Sequence, residues 1–162
     1  MVDTERFTDA EHELDAPPWR RFESTLMATS KSIRRAYDLL FAEIGLNLSE
    51  ACLLEYVVEH GPMSQTQVAE RIGMGRAPAG TIVDSLSDRN LLRRTPDATD
   101  RRVWLLTATN EGQKLAVRIG GVDKELRTIM RQGLSQIERE LLANILLRIQ
   151  ANLLSVLSSQ ST

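Results

Sequence analysis

The residues with the most pointed chemistry in this chain are arginines. Residues 64–107 hold seven bases, and five of them come late: Arg89, Arg93, Arg94, Arg101 and Arg102. Arg101 and Arg102 directly follow Pro96-Asp97-Ala98-Thr99-Asp100, a run made of turn-forming residues. Two guanidinium groups on a projecting turn suit a polyanion, because each offers a fork of N–H donors that fits a phosphate. Such a cluster is also the ordinary look of a solvated face. Other chemistries have little to work with. One cysteine, Cys52, excludes a disulfide framework within the chain and any multi-cysteine zinc or iron–sulfur site. Two histidines, His12 and His60, leave little for metal binding or nucleophilic catalysis. The sequence has no Gly-x-Ser-x-Gly elbow, P-loop, dinucleotide fingerprint or metal motif. No catalytic residue, cofactor or metal site is expected, and the chain is not expected to be an enzyme.

The elements that must position these arginines follow from composition and periodicity. The 162 residues are 42% hydrophobic and 26% charged, the balance of an ordinary globular chain of one domain with extensions. The net charge of −2 hides a gradient. Residues 1–18 carry six acids and one base, while residues 64–107 and 108–162 each carry a net +2. An acidic tail therefore masks a mildly basic body. No apolar run approaches the roughly 18–20 residues that span a bilayer, and the acidic start does not resemble a signal peptide. A cytoplasmic setting without membrane contact is expected.

Pro17-Pro18 ends the tail and can open a helix, since proline is tolerated in the first turn. Trp19 to Ile44 has no proline or glycine, and apolar residues recur at near-helical spacing from Phe22 to Ile44. Ser49 is the expected cap of a second helix, Glu50 to about Glu59, closed by Gly61-Pro62. Ser64 caps a third to about Ile72. Gly75 and Pro78 open a fourth, with Ile82, Val83 and Leu86 facing inward and Asn90 as its stop. Leu91–Thr95 and Val103–Thr107 read as a hairpin. Thr109 caps a helix to about Gly133, and Ser135 caps the last, Gln136 to about Leu157. That last helix is so rich in leucine and isoleucine that one neighbour would not cover it. Residues 19–48 and 109–157 are therefore expected to form a helical layer that buries itself in a second copy. Residues 49–108 form a unit of three helices and a hairpin between them, following the acidic tail of residues 1–18.

The order and spacing of four segments resemble the MarR family of winged helix-turn-helix transcription regulators. These are Gln67-Val68-Ala69-Glu70-Arg71-Ile72, Val83 to Arg94, Asp97-Ala98-Thr99-Asp100-Arg101-Arg102, and Thr109-Asn110-Glu111-Gly112. The resemblance covers about residues 20–157. Asn90 stands where the family usually has glycine, Ala108 where it usually has leucine, and the start of the fourth helix lacks the usual Ser and Thr. The resemblance implies a mainly α fold: a winged helix-turn-helix of three helices plus a β-hairpin wing, flanked by long N- and C-terminal dimerisation helices. It implies a homodimeric repressor that binds double-stranded DNA at a pseudo-palindromic operator.

On that reading the fourth helix enters the major groove and reads base edges near its N-terminus. Arg76 has the donors for guanine O6 and N7, and Ala77 can touch a thymine methyl. Gly80 would let the backbone approach closely, unless it serves helix–helix packing. Thr81 can bond a base or a phosphate. Ser64, Gln65 and Gln67 lie where a helix start can meet a phosphate, with Ser64 equally an N-cap. Arg94 joins the set from the first wing strand. Arg101 is expected in the minor groove and Arg102 on phosphate, with Asp100 orienting an arginine. Two copies would set their reading helices about 34 Å apart.

The family resemblance also implies release of DNA by a small, often aromatic or phenolic, ligand. Arg34, Tyr37, Phe41, Tyr56 and His60 are the candidate lining, against a plainer reading in which the aromatics are core and the charges surface. Cys52, between apolar neighbours, is expected to be buried and inert. A second class of function stays open: a winged helix used for protein interaction, its arginines serving an acidic partner. Salt-dependent preference for one DNA sequence separates the two.

Overall fold

The computed structural model describes Pro17 and residues 21–158. The rest of the acidic tail, and Trp19 and Arg20 at the expected start of the first helix, lie outside the described residues. Helix α1 spans Phe22–Ala42 after Arg21, and Gly45, at φ 76°, closes the turn that follows. It ends two residues before the expected Ile44, because Phe41 already turns inward and its carbonyl accepts from Ile44 and Leu46.

Helix α2 spans Leu48–His60. Its cap is Asn47 rather than the expected Ser49: Asn47 Oδ1 accepts from Glu50 N at 2.9 Å, and Glu50 Oε2 accepts from Asn47 N at 3.1 Å. This reciprocal pair satisfies two orphan helix donors at once. Ser64 caps helix α3 (Gln65–Arg71) in the same way with Gln67. Helix α4 spans Arg76–Asp88 behind Gly75, and Asn90 at φ 55° turns the chain out of it.

Three strands follow the order β1-β3-β2, all antiparallel, with β1 at Met63–Ser64, β2 at Leu92–Pro96 and β3 at Trp104–Ala108. The hairpin pairs Leu92 with Ala108, Arg94 with Leu106 and Pro96 with Trp104. Strand β1 was not expected from sequence. It is two residues long and exists only through Leu105 and Leu106, some forty residues away.

Helix α5 (Asn110–Met130) starts at Thr109, whose hydroxyl accepts from Gly112 N at 3.0 Å and donates to Asn90 O at 2.7 Å. The Gly112 position is forced. A Cβ there would collide with the Leu91 carbonyl oxygen, so only glycine lets α5 start against the residue that leads into β2. Helix α6 (Gln136–Ser158) begins at the Ser135–Glu138 capping box.

The chain divides into two compact units, Met1–Asp123 and Lys124–Thr162. The first unit holds a core of Phe41, Leu53, Leu54, Val57, Val68, Val83, Leu86, Leu92, Leu106 and Ile119. Phe41 from α1 and Ile119 from α5 thus share one core with the helices and hairpin between them. The second unit contains α6, whose Ile137, Leu141, Leu147, Leu153, Leu154 and Leu157 are all at least half exposed. Among the described residues no helix is long and apolar enough to cross a membrane.

Candidate nucleic-acid interface

The wing turn is built by its aspartates. Asp97 Oδ1 accepts from Thr99 N at 2.7 Å, from Asp100 N at 3.0 Å and from the Thr99 hydroxyl. These bonds, the Thr99 hydroxyl foremost, hold the Asp97 carboxyl below the usual carboxylate range. Asp97 N donates to Val103 O, and Val103 N donates to Asp100 O, both at 2.9 Å, closing the loop. Asp100 Oδ1 then accepts from Arg102 N at 3.0 Å. Asp100 therefore orients the backbone of an arginine rather than a guanidinium. Arg101 and Arg102 are both exposed, and among the described residues neither forms an ion pair. The sequence marked this run as a turn but did not single out Asp97 as its organiser. The signal was its spacing to Thr99 and Asp100, the pattern of an Asx turn.

The start of α4 lies open. Arg76 is 78% exposed and 3.8 Å from Glu70, an exposed pair that constrains it little. Ala77 and Thr81 are exposed, Ala79 is fully buried, and Gly80 is half-buried. Thr81 Oγ1 donates back to Ala77 O at 3.4 Å. A Cβ on Gly80 would sit 3.2 Å from the Gln65 side-chain nitrogen, the movable end of that side chain. Ser64 and Gln67 spend their side chains on each other's backbone as a capping box.

Arg94 is already engaged within the fold. Its guanidinium donates to Asp84 Oδ1 at 2.6 Å, tying β2 to α4. Arg89 is similarly engaged: it lies 3.6 Å from Glu50 Oε1 and donates to Gly45 O at 2.7 Å. Glu50 also accepts from Ser85 Oγ at 2.9 Å. Two of the five clustered arginines thus brace the fold. Sequence reading missed both partners, since Asp84 and Glu50 lie 10 and 39 positions from the arginines they hold.

The expected ligand lining resolves into two stacked pairs. Tyr37 stacks on Phe41 with centroids 5.6 Å apart, and the Tyr37 hydroxyl donates to Asp123 Oδ1 at 2.7 Å. Tyr56 stacks on His60 at 4.0 Å. Phe41 is 2% exposed and belongs to the core rather than to an open cleft. Arg34 lines an open groove along α1 with Leu26, Met27, Ser30 and Lys31. Cys52 is exposed, not buried as expected, because it faces away from the core that its neighbours Leu53 and Leu54 fill. Partial desolvation, then the nearby Glu55 carboxylate, raise its thiol above the ordinary value, so it stays protonated at neutral pH. Among the described residues no group of three or more His, Cys, Asp or Glu is placed to hold a metal ion.

Residues 44–103, which run from the start of the helical unit into the wing, match the MarR family model. This segment of the chain is similar to the MarR family over those residues. The HTH-type transcriptional repressor MdtR of Bacillus subtilis (strain 168) is 31% identical over 68 residues, which cover 42% of this chain and 44% of MdtR. The match with this curated relative therefore spans less than half of its length. Among solved structures, the transcriptional regulator PA3341 is 27% identical with a TM-score of 0.72, over 83% of this chain and 98% of that one. Bordetella bronchiseptica BpsR, whose DNA binding is regulated by 6-hydroxynicotinic acid, shares the fold at 18% identity. Its TM-score is 0.71, covering 91% of this chain and 98% of that one. The fold is mainly α with a β-hairpin wing, as the sequence led one to expect, and β1 adds a third strand that it did not.

Proposed function

We propose that this chain is a cytoplasmic, sequence-specific DNA-binding transcription regulator that acts as a homodimeric repressor on a pseudo-palindromic operator. The observation that carries the reading is the wing tip: two exposed arginines without ion-pair partners among the described residues, on a turn fixed by Asp97 and Asp100. Beside it stands the open start of α4, with Arg76, Ala77 and Thr81 exposed for base edges. Residues 49–108 act as the DNA-binding domain. Residues 19–48 and 109–157 supply the helices that join two copies. Arg101 enters the minor groove and Arg102 holds phosphate. Gln65, with Ser64 and Gln67 at the capped start of α3, meets the backbone, as does Arg94 while it braces the wing.

A small aromatic ligand releases the operator on this reading, as 6-hydroxynicotinic acid regulates DNA binding by BpsR. Its charged and aromatic contacts come from Arg34, Tyr37, Tyr56 and His60.

The test is a duplex selected by the protein from a random-sequence pool, followed by fluorescence anisotropy at two salt concentrations. Selective, salt-sensitive binding is expected. Replacing Arg101 and Arg102 together by alanine should weaken it about a hundredfold or more, since bonds to charged groups are strong. The salt slope should drop by about one per lost phosphate contact. A selection that enriches no sequence, or a double variant that binds like the parent, overturns the reading.

A further inference from the structure

Trp104 is 54% exposed, although its indole is the largest apolar side chain of the hairpin. The register says which way it points. Side chains two residues apart on a strand share a face, and directly paired residues share it across strands. Leu106, two residues on, is 1% exposed, so Trp104 lies on the inward face of β3. Arg94 pairs with Leu106 on that face and reaches Asp84 on α4 at 2.6 Å. This face of the hairpin therefore looks toward α4. Trp104 and its partner Pro96 sit one step further out along the same face, where the hairpin has left the body and both are exposed. Arg101 and Arg102 follow immediately at the tip.

We propose that Trp104 is a DNA-contact residue that lays its indole ring on the sugar–phosphate backbone, between the groove read by α4 and the groove entered by the wing arginines. The proposal rests on the DNA-binding reading above. The occupant is set by the surroundings. An exposed ring flanked at two and three residues by guanidinium groups faces a polyanion, and a deoxyribose edge is the apolar surface a polyanion of this kind offers. Tryptophan suits the position because it joins a large rigid apolar body to a single N–H donor. A backbone contact of this kind positions the duplex and carries no sequence information.

Trp19 and Trp104 are the two tryptophans, so Trp19→Phe leaves Trp104 as the sole indole reporter. Titrating that protein with the selected duplex should quench or shift its emission in step with the anisotropy change. Trp104→Ala should weaken binding about tenfold, as truncating an interface aromatic does. It should do so equally on the selected duplex and on random duplex, and leave the salt slope unchanged. Trp104→Phe should recover most of the loss. Unchanged affinity and emission overturn the proposal while leaving the regulator reading intact. A Trp104→Ala loss with a flattened salt slope also overturns it, because the residue would then merely hold the arginines in place. Absence of selective binding by the parent protein instead fells the regulator reading, and this inference with it.

Discussion

Asn90 carries a backbone conformation that side chains other than asparagine and glycine rarely accept. Its φ of 55° lets Leu91 N reach back to Leu86 O at 2.8 Å and turns the chain from α4 into β2. A Cβ-bearing residue without a short polar side chain adopts that region at a cost of roughly 1–2 kcal/mol. Asn90→Ala should therefore lower unfolding free energy by about 1 kcal/mol, and Asn90→Gly should be neutral or stabilising. Urea unfolding of the two variants checks this, and a tolerated alanine would contradict it. Features of this kind were legible in the sequence because they are local. Asn90 stops its own helix, and the caps formed by Ser64, Thr109 and Ser135 each reach a residue three positions on. Where two neighbouring residues could both cap, local signals were not enough. Asn47 prevails over Ser49 because Glu50 stands three residues after it and completes the reciprocal pair. Cys52 shows the converse limit: apolar neighbours in sequence do not bury a residue on the opposite side of a helix.

At the scale of elements, the winged helix is held by contacts that bridge helices rather than by caps alone. The Glu50 carboxylate joins three things: the α2 cap through Asn47 N, α4 through Ser85 Oγ, and Arg89 at the end of α4. Arg89 carries the link on to Gly45 O in the turn after α1. One largely buried side chain thus fixes α4 against α2 and the α1–α2 turn. Hydrogen bonds to charged groups contribute about 1.5–3 kcal/mol, so Glu50→Ala should cost about 2 kcal/mol in thermal or urea unfolding. Glu50→Asp should not recover it, because the shorter stem cannot span cap and helix together. A full recovery by aspartate would refute the bridging role. Sequence made the elements themselves plain, through periodicity and turn residues, but not this network or strand β1. Both are defined by residues far apart in the chain, and no local pattern announces them. The arginine cluster looked uniform in sequence for the same reason. Partners at a distance divide it into braces, Arg89 and Arg94, and the exposed tip pair, Arg101 and Arg102.

At the scale of the whole molecule, α6 is the element least accounted for by its own chain. Ile137 is 77% exposed, Leu154 63% and Leu157 66%, and most of the large apolar residues around them are at least half exposed. Leu147, Ala151, Leu154 and Leu157 line an apolar groove along its C-terminal half. A helix that is apolar on more than one face needs a second surface to bury against. A second copy is the natural one, because a two-fold interface is self-complementary and a two-fold protein matches a pseudo-palindrome. Sedimentation should accordingly find a dimer. Leu154→Glu with Leu157→Glu should dissociate it while far-ultraviolet circular dichroism keeps the helical signal of the winged helix. The monomer should lose operator affinity more steeply than affinity for random duplex, since selectivity comes from two half-sites read together. The opposite result, a parent chain that sediments as a monomer yet binds its selected duplex as tightly as expected, would remove α6 from the interface. It would leave the wing and α4 as a self-sufficient reader of a single half-site.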